Sequence, residues 1–198
     1  MSFPVPGHRS DRAATEPAWG PPAGPVPAHA HRDLMSSFPT GVSVVTAVDR
    51  GGRPHGMTCT SLSSVTLTPP TLLVCLDTRS GTLRAIRESG YFAVNLLHAR
   101  AREVAQIFST AVSDRFGRVP WGLSEHLRQP WLTRDAFALA GCAVRRCTVF
   151  GDHEVVLGEV CEVVHNADVP LLYGMRRFSA WLSDGAPEPV GAAPEPGA

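Results

Sequence analysis

Most of the middle of this chain has the hydrophobic pattern of strands. The run "GVSVVTAV" (41–48) is dense in β-branched residues and stops at "DRGGRP", a glycine-rich turn closed by Pro54. "HGMTCTSLSSVTL" follows, and Pro69 and Pro70 then predict an extended break before "TLLVCLD" (71–77), a nearly continuous apolar strand. The period then changes to that of a helix. Ser80 is placed as N-cap, Leu83 and Ile86 fall on one face, and Gly90 ends the turn. "YFAVNLL" (91–97) reads as a buried strand, and "RAREVAQIFST" as a helix with Val104, Ile107 and Phe108 on one side. After an irregular stretch holding Trp121 and Trp131 come two long strands, "AFALAGCAVRRCTVF" and "HEVVLGEVCEVVH", joined through Gly151 and Asp152 as a tight hairpin. The expectation is a mainly β, antiparallel structure with a few short helices, its many sheet edges removed by closing a barrel.

One stretch breaks its own pattern. Within "TCTSLSSVTLT", hydroxyls at Thr58 and Thr60 switch parity to Ser61 and Ser63, then back to Ser64, Thr66 and Thr68. A regular strand keeps its parity, so two slips this close predict a bulge, or a strand that leaves its sheet and re-enters it. In such places backbone N–H groups become free to bind something.

Composition narrows the possibilities. At 198 residues the chain suits one globular core, and its 18 basic and 18 acidic side chains cancel to a formal charge of zero. No Lys/Arg run or basic helix face is present, so neither nucleic acid nor anionic lipid is expected as a partner. No apolar stretch approaches the roughly 20 residues of a membrane span, and the expectation is a soluble, cytoplasmic protein with no membrane association. Residues 1–30 and 183–198 are rich in Pro, Gly and Ala and are expected to be flexible tails around a domain at 31–182. The five cysteines are scattered and form no C-x-x-C pair, which favours buried apolar thiols over zinc or disulfides; Cys59 is the exception to watch.

Several chemistries lack their signatures. There is no G-x-S-x-G elbow, no H-E-x-x-H, and no Walker or Rossmann glycine turn, so no metal site is expected. Hydroxyls, free backbone amides and one cation hold a phosphate without a glycine loop when they meet at a helix start. The "RSGT" run (79–82) and Arg115 in "SDRF" offer such a set, although Ser80 taken alone reads first as a plain helix cap.

In order along the chain, "FPTGVSVVT", "SSVTLTPPTLLVCLD" with "SGTLRAIRESGYFAVNLL", "SDRF", "GDHEVVLGEV" and "PLLYGMRRF" resemble the flavin reductase family, the short partners of two-component flavin monooxygenases. The resemblance spans nearly all of residues 34–178. It implies a split β-barrel that binds FMN or FAD and forms a homodimer, with the flavin near the subunit interface. By resemblance, Thr58, Cys59, Thr60, Ser61, Leu62, Ser64 and Val65 run along the flavin ring and ribityl chain, while Arg79, Ser80, Gly81 and Thr82, with Arg115 and Phe116, meet its phosphate. Arg115 stands where the family more often has Lys, and Phe178 where it commonly has Tyr. His153 is implied beside the nicotinamide and flavin as the catalytic candidate, against its plainer reading as a turn histidine. Tyr173, Arg176 and Phe178 are implied, with His153, as NADH contacts.

The implied activity is reduction of FMN or FAD by NADH, with NADPH the less expected donor, and delivery of reduced flavin to a flavin-dependent monooxygenase. Two rivals remain at this level: a split-barrel oxidase or oxygenase that keeps its flavin, and a non-catalytic flavin or haem carrier.

Overall fold

The computed structural model describes residues 24–181. The tails expected over 1–30 and 183–198 lie outside the described residues except for 24–30, and of these Ala28–Ala30 are already helical. In chain order the elements are α1 (Ala28–Ser36), β1 (Thr40–Gly41), β2 (Ser43–Val48), β3 (Pro54–Cys59), β4 (Ser63–Leu67), β5 (Pro70–Asp77), α2 (Gly81–Ser89), β6 (Tyr91–Leu97) and α3 (Arg102–Ser109). A 3₁₀ turn (Phe116–Arg118) leads into β7 (Gly122–Leu123) and β8 (Pro130–Trp131). The long pair β9 (Ala136–Phe150) and β10 (His153–His165) follows, and β11 (Leu171–Gly174) and β12 (Arg177–Ala180) complete the fold.

Seven strands form one antiparallel sheet in the order β3-β2-β6-β9-β10-β5-β4. Its two edge strands, β3 and β4, are neighbours in sequence, so Thr60–Leu62 carries the chain from one edge of the sheet to the other. The Ser61 hydroxyl secures this crossing by accepting from the Cys75 amide at 2.9 Å and donating to the Cys75 carbonyl at 3.0 Å. The first slip of parity is therefore the point where the chain leaves one edge and re-enters at the other. Beside the second slip, the β4–β5 register shifts between Ser64 and Thr66. This closing of a sheet through one continuous segment is the split barrel.

The two prolines do something other than expected. Leu67 pairs directly with Pro70 across a cis Thr68–Pro69 bond, so they make the tight β4–β5 turn, with Pro70 the first residue of β5. Proline is tolerated there because the first residue of a strand need not donate to the ladder. β2 is buried on both faces: Val42, just before it, and Val44 enter a core with Phe108, Leu132 and Leu171, whereas Val45 and Ala47 enter a second with Leu76, Ile86 and Phe92. The helix expected after Ser80 is present in full, with the Ser80 hydroxyl accepting from the Thr82 and Leu83 amides and Gly90 closing the helix at φ 78°. All five thiols are free, and only Cys59 and Cys142 are fully buried; Cys75 is partly covered, and Cys147 and Cys161 are exposed, which corrects the expectation of a generally buried set.

Candidate functional site

A cleft of about 1130 Å³ opens between β3, the start of α2, the segment running from α3 to Phe116, and the β11–β12 hairpin. Each wall has a local reason. β3 comes close to α3 because Gly56 has no side chain: a Cβ there would lie 2.8 Å from Phe108 and 3.1 Å from Phe116. Those two rings pack edge to face at 5.1 Å and form the apolar floor. Thr58 fixes the same approach by donating its hydroxyl to the Ala105 carbonyl at 2.6 Å. At the far end Tyr173 and Phe178 face each other across the hairpin, 5.2 Å apart.

The α2 end of the cleft gathers groups that could hold an anion. Ser80 uses its hydroxyl for Thr82 and Leu83, leaving the amide of Gly81 among those the helix itself does not pair. The helix dipole adds partial positive charge at the same place. Arg79 forks onto Asp77, and this guanidinium holds the Asp77 carboxyl well below the usual carboxylate range. Arg115 on the opposite wall donates to the Gly56 carbonyl at 2.8 Å and to Thr110, while its buried Nε has no protein partner.

The structure brings together Thr58, Thr60, Arg79, Ser80, Gly81, Thr82, Arg115, Phe116, Tyr173 and Phe178 as lining of this one cleft. The remaining candidates do not line it. Cys59 points into the second core, where burial pushes its thiol up, and Leu62 packs against the same core. Ser61 is committed to β5, while Ser64 and Val65 lie exposed on β4. His153 pairs in register with Asp77 at the rim, its ring bonded to the Asp152 carboxylate at 2.8 Å, and Arg176 reaches Asp33 of α1. Sequence reasoning missed Arg53, His55, Gln106, Ser109 and Asp114, all of which line the cleft. Gly56, an isolated glycine inside a strand pattern, was the signal that something approaches β3 closely.

An antiparallel barrel whose two sheet edges are bridged by one segment, with a helix start and an aromatic hairpin bordering the cleft beside it, defines the split-barrel class. Residues 35–182 match the model of the flavin reductase like domain, and the chain belongs to that family. It is 63% identical over 164 residues to a flavin reductase (NADPH) of Lentzea aerocolonigenes, covering 83% of this chain and 96% of that one. It is 34% identical over 153 residues to the reductase component of a 4-nitrophenol 4-monooxygenase/4-nitrocatechol 2-monooxygenase of Rhodococcus opacus, covering 76% and 80%. Among solved structures, the NADH:FAD oxidoreductase of Streptomyces globisporus, in complex with NAD and FAD fragments, superposes with a TM-score of 0.74 at 32% identity over 82% of this chain and 99% of that one.

The residues present fit a flavin. The cleft exceeds the roughly 300–1,000 Å³ usual for one small ligand, its floor is aromatic, and the α2 start and Arg115 bring hydroxyl, amide and guanidinium donors to it where a phosphate would sit.

Proposed function

We propose that this chain is an NAD(P)H-dependent flavin reductase that takes up free FMN or FAD and passes the reduced flavin to a separate flavin-dependent monooxygenase. The observation that carries the reading is the meeting, in one cleft of a flavin reductase family member, of the α2 N-terminus, a hydroxyl-lined strand and an aromatic hairpin. When bound, the flavin supplies the redox chemistry by accepting a hydride from the dihydronicotinamide.

The protein's own part is binding and orientation. Arg79, Ser80, Gly81, Thr82 and Arg115 hold the phosphate. Thr58 and Thr60 would border the ring and Phe116 would lie with Arg115 beside the phosphate, while Cys59, Ser61, Leu62, Ser64 and Val65 shape the crossing without lining the cleft. Tyr173 and Phe178 form the wall against which the nicotinamide is placed, with Arg176 on the turn beyond. His153, paired in register with Asp77 at the rim, would orient the dihydronicotinamide when it is bound, so His153→Ala is expected to slow flavin reduction far more than it weakens flavin binding; an unchanged stopped-flow reduction rate would leave it a turn residue.

The relatives favour neither a flavin-retaining oxidase nor a carrier. The sequence weighted the donor toward NADH, and the relative at 63% identity carries NADPH in its name, so both nucleotides belong in the assay. The protein works in the cytoplasm, where the pyridine nucleotides are, and as a homodimer. Support for the dimer lies in β4 and in Arg145–Phe150 of β9, exposed along their length with Leu67 at 83% and Phe150 at 85%. An anaerobic steady-state assay with NADH and NADPH against FMN, FAD and riboflavin tests the activity. Turnover with at least one pair is expected, and turnover with none would overturn it.

A further inference from the structure

His55 lines the cleft from β3, and its Nδ1 lies 3.4 Å from where a Cβ on Gly81 would stand, so the ring faces the first turn of α2. Its orientation is set from behind. Nε2 lies 2.9 Å from Asp49 Oδ2, and the same carboxylate accepts from the Gly51 amide at 2.9 Å, the Arg53 amide at 3.0 Å and Arg53 Nε at 3.2 Å. The side chains of Asp49 and His55 are 9% and 23% exposed. Hydrogen bonds from the His55 ring and from the Arg53 and Gly51 amides outweigh the burial that opposes them and hold Asp49 far below the usual carboxylate range, so it is ionised and only accepts. Nε2 must therefore carry a proton, and the nitrogen turned toward the α2 start is Nδ1. Neutral, that atom is a lone pair and repels a phosphate oxygen. Protonated, it donates a charge-assisted hydrogen bond, with the ring's charge balanced by Asp49 behind it.

We propose that His55, oriented by Asp49, is a phosphate-reading residue that admits a phosphorylated flavin by taking up one proton at Nδ1. The proposal rests on the flavin reading of the cleft and adds a selectivity to it: FMN over unphosphorylated riboflavin. One proton passes from solvent to Nδ1 as the phosphate arrives, and no other bond changes. The charged groups nearest the ring or sharing its cleft are Asp49 and Arg53 of the β2–β3 turn, Asp77 and Arg79 at the end of β5, Arg84 of α2, and Asp114 and Arg115 on the facing wall.

Calorimetric titration of the full chain at pH 8, in two buffers of different protonation heat, counts the protons. Free FMN is a dianion there, since a phosphomonoester loses its second proton near pH 6. FMN is expected to bind with uptake of up to one proton, and riboflavin with none. His55→Gln abolishes the uptake and weakens FMN about tenfold, the worth of one charge-assisted bond, while shifting riboflavin less than twofold. Asp49→Asn removes the balancing charge, and with its single oxygen held by the Gly51 and Arg53 amides it turns an N–H toward Nε2; the neutral ring then carries its proton at Nδ1, and the proton count falls. Riboflavin binding by each variant reports that it is folded. Proton-free FMN binding by the parent chain, or equal loss of FMN and riboflavin in His55→Gln, would overturn the proposal while leaving the flavin reading intact. Failure of both flavins to bind the parent chain would overturn both.

Discussion

Gly158 shows how a single missing side chain sets the inside of the barrel. A Cβ there would fall 2.5 Å from Phe92 and 2.8 Å from the Cys142 Cβ, and both neighbours are fully buried with nowhere to move. Gly158→Ala is therefore expected to cost about 1–3 kcal/mol through overpacking, seen as a lower urea midpoint with an unchanged slope. The sequence shows this glycine as an interruption of a strand but not what it faces, because the partner ring comes from β6, more than sixty residues away in the chain. The same holds at the site. The hydroxyl run could be read as special from its parity alone, whereas His55 carries no local mark and becomes notable only when α2 is placed against it.

At the scale of elements, α2 was legible from end to end because each of its signals is local: a serine cap, an apolar face and a glycine in the left-handed region. Ser80→Ala is expected to lower stability by about 1 kcal/mol through loss of the cap, as a reduced Tm, and to weaken FMN binding as the first turn frays. The Pro69–Pro70 step was misread because proline excludes a central ladder position but not the first position of a strand. The β11–β12 hairpin carried no turn signal, since Met175 and Arg176 occupy φ 51° and 58° where glycine or asparagine is the usual cue. That turn is held from outside, by the Met175 amide on the Ser36 carbonyl and by Arg176 on Asp33. α1 has no side-chain cap and no buried residue, so nothing in its pattern set it apart from the preceding Pro- and Ala-rich segment.

For the whole molecule, acid is the informative stress. Asp49, Asp77, Asp152, Asp168 and Glu162 all sit below their ordinary values; Asp77, Asp152 and Asp168 owe this first to Arg79, His153 and Arg100. For Glu162 burial pushes upward, and the Ser124 hydroxyl with the Leu127 and His126 amides outweighs it. The folded state thus binds fewer protons than the unfolded one over this range. The resulting stability is present in full above the ordinary carboxylate values near pH 4 and is lost as pH falls through the depressed ones. Thermal melts should therefore be little affected by these groups from neutral pH to about pH 5 and drop below about pH 4; a Tm that rises on acidification would contradict the assignment. The exposed Val149 and Phe150 give the assembly its own test: light scattering should show a dimer, and Phe150→Glu should shift it toward monomer. By itself the sequence determined the strand content, the capped helix, the long hairpin and the place where the hydroxyl strand loses its phase, because periodicity, capping and turn chemistry act within a few residues. Only the tertiary structure decided which of those hydroxyls reach the cleft, that β3 and β4 end at opposite edges of one sheet, and that His55 faces α2, because each depends on contacts between segments far apart in the chain.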